Sequence, residues 1–468
     1  MTVIKKVPGS YVERIKGVRT ANDLPSTSVG GIVGQTARGV ANTPIKLTSW
    51  SQFEEKFAKG ISDPFAFGNV ADAVYGFFLN GGTEVYVVRT LESGSKKATA
   101  KIPSESGVTF TAKEEGEWGN DITITIAQEQ QLSRQLDTFS LVVTIDGNKV
   151  EEIKKIGSDN FVTMINENSD FITVENDGTF AVGSGTLASG SEEAYTSATY
   201  NKGVSCFDTI TDINLLAVPG ITEEGVQENL VSYCDTRGDV FPIIADTDDA
   251  TIEGVLKYKD KITSSHLGGM YYPNVIIMNP LTGVKKKVSA CGHIMGTIAR
   301  TDAERGVHKA PAGLDATLKG VIAVDTALSE TEIGILNDAE VNCILPKKGS
   351  GIVIWGARML KVDGERSYVS DIRLDIFVEQ AVKINTEWAT FEPKDSKLFN
   401  DVTAQLSGLL LGMWEKGMFL GDTKEDAFYV KCDGELNPNI NSPELIIEIG
   451  YAKKKPAEFV VTRITSKQ

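Results

Sequence analysis

Apolar positions along this chain alternate between helical and strand spacing, and the switches divide it into segments. SVGGIVGQTARG (28–39) runs apolar without alternation and then turns glycine-rich, the pattern of a buried strand feeding a loop. SQFEEKF (51–57) has helical spacing. In GNVADAVYGFFLNGG (68–82), Val70, Ala73, Val74, Phe77 and Phe78 share a helical face, and Asn80-Gly81-Gly82 supplies a C-cap. EVYVVRT (84–90) is a strand. Between 201 and 350, strand-like INLLAVPG, VFPIIADT, YYPNVIIMNP and VNCILPKKG alternate with helical QENLVSYCDTRG and the stretch VKKKVSACGHIMGTIARTDAERG. That alternation predicts an α/β layer with a partly parallel sheet.

Two further helical patterns follow GIVIWGARML (351–360). Val369, Ile372, Ile376, Ala381 and Ile384 form one; Leu398, Val402, Leu406, Leu409 and Met413 form the other, with Asp395 as its N-cap. Strands are expected at 427–432 and 444–450. Between about 96 and 200 the composition shifts to Thr, Ser, Gly and Asn, with strand runs DITITIAQE and FSLVVTIDG and the loop-like NDGTFAVGSGTLASGSEE. The expected fold is α/β, mixed α+β overall, with several domains. These are an arm (1–20), the first part of a core (21–95), an inserted and mostly β peripheral domain (96–200), an α/β middle domain (201–350), a C-terminal domain (351–455) and a terminal strand arm (456–468).

The two ends share a plan. Phe459, Val461 and Arg463 face one side of a terminal strand while Val460, Thr462 and Ile464 face the other, so both faces ask for cover and the backbone for partners. Lys453 to Pro456 precede it as a breaker. At the other end Pro8-Gly9 precedes SYVERI, which carries Tyr11, Val12 and Ile15. Such ends either fold back on their own domain or exchange strands with neighbours.

Charge narrows the functions. The chain has 47 Lys and Arg against 63 Asp and Glu, a net charge of −16, which argues against a nucleic-acid-binding face. VKKKV (284–288) and AKKKPA (452–457) could form local basic patches, but read more simply as solvated lysines at loop ends. Five scattered cysteines without a C-x-x-C pattern imply a reduced protein without disulfides. The start lacks the apolar stretch of a signal peptide, and no run reaches the ~20 apolar residues of a membrane span, so synthesis in the cytoplasm is expected.

Catalytic constellations are hard to assemble. There are three histidines, His266, His293 and His308, and no recognisable nucleophile elbow, phosphate loop or zinc-protease signature. Cys291 and His293, two apart on a helix, point to different faces and suit joint metal binding poorly. Asp246, Asp248 and Asp249 could hold Mg²⁺, but more simply cap the helix that begins at DATIEGVLKY. The loop GQTARG (34–39) lacks the Lys-Ser/Thr ending of a phosphate loop and reads as a turn. No catalytic residue, metal or cofactor is expected.

Several stretches, taken in order, resemble the contractile tail sheath family of myovirus tails, R-type bacteriocins and related injection systems. They are PGSYVERI (8–15), FFLNGGTEVYVVRT (77–90), GHIMGTIARTDAERGVHKAPAG (292–313) and ILPKKGSGIVIWGARML (344–360). YVSDIRLDIFVEQAVKINTEWATFEPKDSKLF (368–399), AFYVKCD (427–433) and KKPAEFVVTRI (454–464) complete the set. The resemblance covers 4–90 and 200–468. It departs at His308, where the family usually has Trp, and at Gly313, where it usually has Asn.

The resemblance implies a non-catalytic subunit that assembles on itself, as stacked rings or a helix, around an inner tail tube from a baseplate to a tail terminator. It implies an extended, metastable state that contracts to drive the tube through an envelope, with no direct contact to nucleic acid or membrane. It also implies intersubunit arms using Tyr11, Val12, Ile15, Phe459, Val460, Val461 and Ile464, hinged at Pro8, Gly9, Lys455 and Pro456. The 396–416 helix would meet the tube through Lys397, Asn400, Asp401 and Gln405. Such a chain is made in a host cytoplasm and ends in a virion tail or a phage-tail-like particle. Two competing readings are an α/β hydrolase-like enzyme, suggested by the alternating middle, and a non-contractile shell or adhesin that exchanges strands.

Overall fold

The long apolar runs become the strands of one large sheet. In the computed structural model, which describes residues 23–104, 106–129, 138–223, 225–245, 251–262, 267–363 and 366–458, eight strands lie side by side. Their order is Gly351–Trp355, Val341–Lys347, Gly269–Tyr272, Phe241–Ile244, Leu215–Ala217, Gly30–Gly34, Val85–Arg89 and Ile45–Leu47. The inner six run parallel, and the two outer ones pair antiparallel. Burial on both faces explains why the inner strands read as unbroken apolar runs: Gly30–Gly34, Leu215–Ala217, Phe241–Ile244 and Gly269–Tyr272 are buried at every residue. The Gly351–Trp355 edge is covered, since Leu318 N–H donates to the Ile352 carbonyl and Ile354 N–H to that of Ala316.

Helices Val70–Asn80 and Cys291–Arg305 pack against each other. Their approach is close because Gly292 and Gly296 carry no Cβ. One added at Gly292 would stand 1.9 Å from the Ala73 carbonyl oxygen, and one at Gly296 would stand 2.3 Å from that of Phe77. The first helix ends as expected, with Gly81 at φ +113 and its N–H on the Phe77 and Phe78 carbonyls.

The chain divides into two compact units, Ser26–Arg373 and Met1–Pro25 with Leu374–Gln468. Within the first, residues 98–187 hold a core of their own around Phe110, Trp118, Ile124, Leu141, Val143 and Phe171. It lies among a four-stranded antiparallel sheet, a three-stranded one and the helix Phe161–Asn168. Two buried arginines fasten this part to the α/β body. The Arg38 guanidinium stacks 4.4 Å above Trp118 and 4.8 Å from Phe171, and donates to the Glu114 carboxylate at 2.9 Å and the Asp170 carbonyl at 2.8 Å. Arg89, fully buried, donates to Glu192 at 2.6 Å and to the carbonyls of Glu115 and Gly39 at 2.9 Å. The turn-like GQTARG loop is therefore a latch.

The second unit is mainly helical. Val369–Thr386 crosses into it from the first unit, and Ser396–Glu415 follows. A short antiparallel ribbon of Phe428–Lys431 and Glu448–Tyr451 completes it. Asp395 caps the long helix by accepting from Leu398 N–H at 2.8 Å, as its position suggested. Leu398, Val402, Leu406, Leu409 and Met413 are all buried. Ile384 departs from the expected pattern: it is 42% exposed, two residues before the end of its helix at Thr386.

One lysine run differs from expectation. Lys285–Val288 is a strand, not a loop end, and Lys286 reaches back to Asp72 and the Phe65 carbonyl. Helix Ile252–Ile262 begins with Thr251 Oγ1 accepting from Gly254 N–H at 3.1 Å. Asp246, Asp248 and Asp249 lie outside the described residues, as does His266.

Candidate assembly surfaces

Of the predicted arm residues, Tyr11, Val12, Ile15, Phe459, Val460, Val461 and Ile464 lie outside the described residues, as do the hinge residues Pro8 and Gly9. The chain leading to the terminal arm is described, and it is tied down one residue at a time. Tyr451 pairs with Phe428 in the ribbon, and Leu420 N–H donates to the Ala452 carbonyl at 2.8 Å. Lys453 bridges to Phe419 and its ammonium meets Asp375 at 2.6 Å, beside the Tyr451 hydroxyl on the same carboxylate. Lys454 donates to the Gly417 carbonyl at 2.7 Å. Lys455 is exposed and Pro456 half-buried, both without regular structure. The three lysines are therefore not equivalent: Lys453 partners a buried carboxylate, whereas Lys455 is exposed.

On the Ser396–Glu415 helix, Lys397 and Asn400 are exposed and Asp401 is half-buried, all opposite the core stripe. Gln405 is committed inside its own unit. Its Oε1 accepts from Trp388 Nε1 at 2.6 Å, and its amide donates to Asn385 Oδ1 at 3.4 Å. Asn385 in turn donates to the Asp23 carbonyl at 2.8 Å.

Between these helices, in TFEP, Phe391 is fully exposed with φ +68. Left-handed backbone is rare for a bulky residue and costs about 1–3 kcal/mol. Nothing in the hydrophobic pattern of NTEWATFEPKD (385–395) marks this exposure.

The candidate chemical residues are structural where described. His293 is buried against Gly76, whose added Cβ would meet its Nδ1 at 2.5 Å, and burial pushes its pKa down to about 4. Cys291 donates to the Ile243 carbonyl at 3.5 Å. His308 sits half-buried in its loop. At Gly313, φ is +101, a conformation that glycine adopts freely and asparagine tolerates best among the others, so the departure there changes little. Among the described residues no group of three or more His, Cys, Asp or Glu is placed to hold a metal, and no helix is long and apolar enough to cross a membrane.

Residues 193–359 match the phage tail sheath protein central domain. No curated protein matches the sequence. Among solved structures, a chain of the six-fold anti-feeding prophage baseplate is 19% identical, with 99% of this chain and 100% of that one covered and a TM-score of 0.63. A chain of the contracted PVC sheath complex, from an extracellular contractile injection system, is 18% identical at 100% and 99% coverage, with a TM-score of 0.61. The sheath tail protein of Desulfitobacterium hafniense is 12% identical at 95% and 100% coverage, with a TM-score of 0.70. Residues 193–359 thus match a tail sheath central domain, and the fold is similar to that of contractile sheath proteins.

Proposed function

We propose that this chain is the structural subunit of a contractile sheath, and not an enzyme. Copies polymerise around an inner tube from a baseplate, are held extended, and contract to push the tube through a target envelope. The observation that carries the reading is the tail sheath central domain at 193–359 set inside a sheath-like fold across both chains' full length. Contraction is a rigid-body change between two packings, and its free energy comes from surface buried between copies. A head-to-tail contact that does not close gives the filament.

The terminal arms link neighbours. Among the described residues the ribbon of Phe428–Lys431 and Glu448–Tyr451 has two strands, and such ribbons are marginal alone. An arm from another copy, through Tyr11, Val12 and Ile15 or Phe459, Val460, Val461 and Ile464, would extend it by main-chain hydrogen bonds. Pro8, Gly9, Lys455 and Pro456 are the hinges, the last two standing just past the anchored Lys453 and Lys454. Lys397, Asn400 and Asp401 present the tube-facing side. Gln405 serves that side indirectly, through its bond to Trp388. A terminator protein closes the far end, and the acidic chain touches neither nucleic acid nor membrane.

Electron microscopy of the full-length chain, alone and with its cognate tube protein, tests this. Hollow helical tubes are expected; discrete monomers under both conditions would overturn the reading. Deleting 456–468 should leave a folded chain that forms no long tubes, and normal tubes from it would exclude strand exchange. Val461→Asp should weaken assembly more than folding.

A further inference from the structure

We infer that Phe391 is an anchor that inserts into a groove on a second copy of this chain, the groove lined by Trp414, Phe419 and Leu420 together with Glu415, Asp422 and Lys454. The inference rests on the sheath-subunit reading. Phe391 exposes its whole side chain to water and holds a left-handed backbone, φ +68. An aromatic ring kept at that conformation and fully solvated gains nothing from the described residues of its own chain, and we place the compensating contact on another copy. Glu392 and Pro393 beside it are also exposed, and the ring stands on the tip of a turn.

The same unit carries an open groove of about 490 Å³. Its walls are fixed. Trp414 Nε1 donates to the Gly421 carbonyl at 3.1 Å, Lys454 closes one rim on Gly417, and Phe419 packs 5.1 Å from Tyr451. Leu420, 56% exposed, lines it without cover. A benzene ring fits a cavity of about 150 Å³, so the groove has room for Phe391 and part of its turn. The ring, being fully exposed, does not occupy the groove of its own copy. A knob and a hole on one chain, neither filled by the described residues of that chain, make a heterologous contact that propagates, which is what a helical polymer requires. Because Lys454 lines the groove and leads to the hinge at Lys455 and Pro456, occupation of the groove would also set the exit of the terminal arm.

The test uses the full chain with its tube protein. Phe391→Asn removes the ring and suits positive φ, so the chain alone should melt at or above the wild-type temperature. The concentration needed for tube formation should rise at least tenfold. Assembly at the wild-type concentration would overturn the anchor while leaving the sheath reading intact. To identify the occupant, Phe391→Cys and Leu420→Cys are combined with Cys206→Ser, assembled above the raised threshold concentration, and cross-linked in the resulting tubes by a short bismaleimide. A ladder of covalent multimers, absent from either single cysteine variant, is expected. Cross-linking of Phe391→Cys to the tube protein instead, or tubes that yield no ladder, would refute the second-copy assignment. A wild-type chain that never self-associates would overturn the sheath reading and the anchor with it.

Discussion

The helix pair under the central sheet gives the sharpest prediction, because one substitution should act with opposite signs at two glycines. Gly292→Ala adds a methyl group whose carbon would lie 1.9 Å from the Ala73 carbonyl oxygen and 2.4 Å from the Ala73 Cα. Ordinary carbon-to-oxygen contacts begin near 3.3 Å, and both obstacles are backbone, so the helices must separate by roughly 1 Å. Overpacking of a well-filled core costs about 1–3 kcal/mol, and a rigid backbone obstacle puts this case at the upper end. Alanine returns about 1 kcal/mol through better helix propensity. The net expectation is a loss of ~2 kcal/mol. At Gly334, in helix Glu330–Asp338, nothing lies within 4 Å of an added Cβ, so only the propensity remains and Gly334→Ala should stabilise by about 0.5–1 kcal/mol. Urea titration of each full-length variant, followed by tryptophan fluorescence under non-assembling conditions, measures both. If Gly292→Ala proves neutral or stabilising, the close helix approach does not exist and the packing argument fails.

Three further predictions follow from buried or capping groups. Arg89→Ala should cost about 3–5 kcal/mol by leaving Glu192 and two carbonyls without their shared donor; limited proteolysis should then cut within 96–200 faster than in wild type, and an unchanged cleavage pattern would refute the latch. Desolvation lifts the Asp72 pKa from the usual 3.8 to about 6, with Lys286 opposing. The folded chain thus holds this proton more tightly than the unfolded chain, so Asp72 makes stability fall as pH rises from about 4 to about 6. Asp72→Asn should remove that component, and identical pH slopes of the urea midpoint in both proteins would contradict it. Asp395→Ala should lower stability by about 1 kcal/mol through loss of the cap on Leu398 N–H, checked by thermal melting.

What depends on neighbours within a few residues is legible in the chain alone. The unbroken apolar runs at 30–34, 215–217 and 241–244 marked strands buried on both faces, the spacing from Leu398 to Met413 marked a core-facing helix, and Gly81 and Asp395 marked where helices stop and start. Periodicity and capping are local physics, legible in a short window. The tertiary structure alone decided the polar pairings. Arg89 meets Glu192 across 103 positions, Lys286 meets Asp72 across 214, and Lys453 meets Asp375 across 78. In any local window each of these cations looks solvated, and only the fold brings the carboxylate that makes its burial tolerable. Phe391 is the converse case: it is apolar, yet the turn between two helices leaves it fully exposed, which no periodicity in the surrounding residues signals.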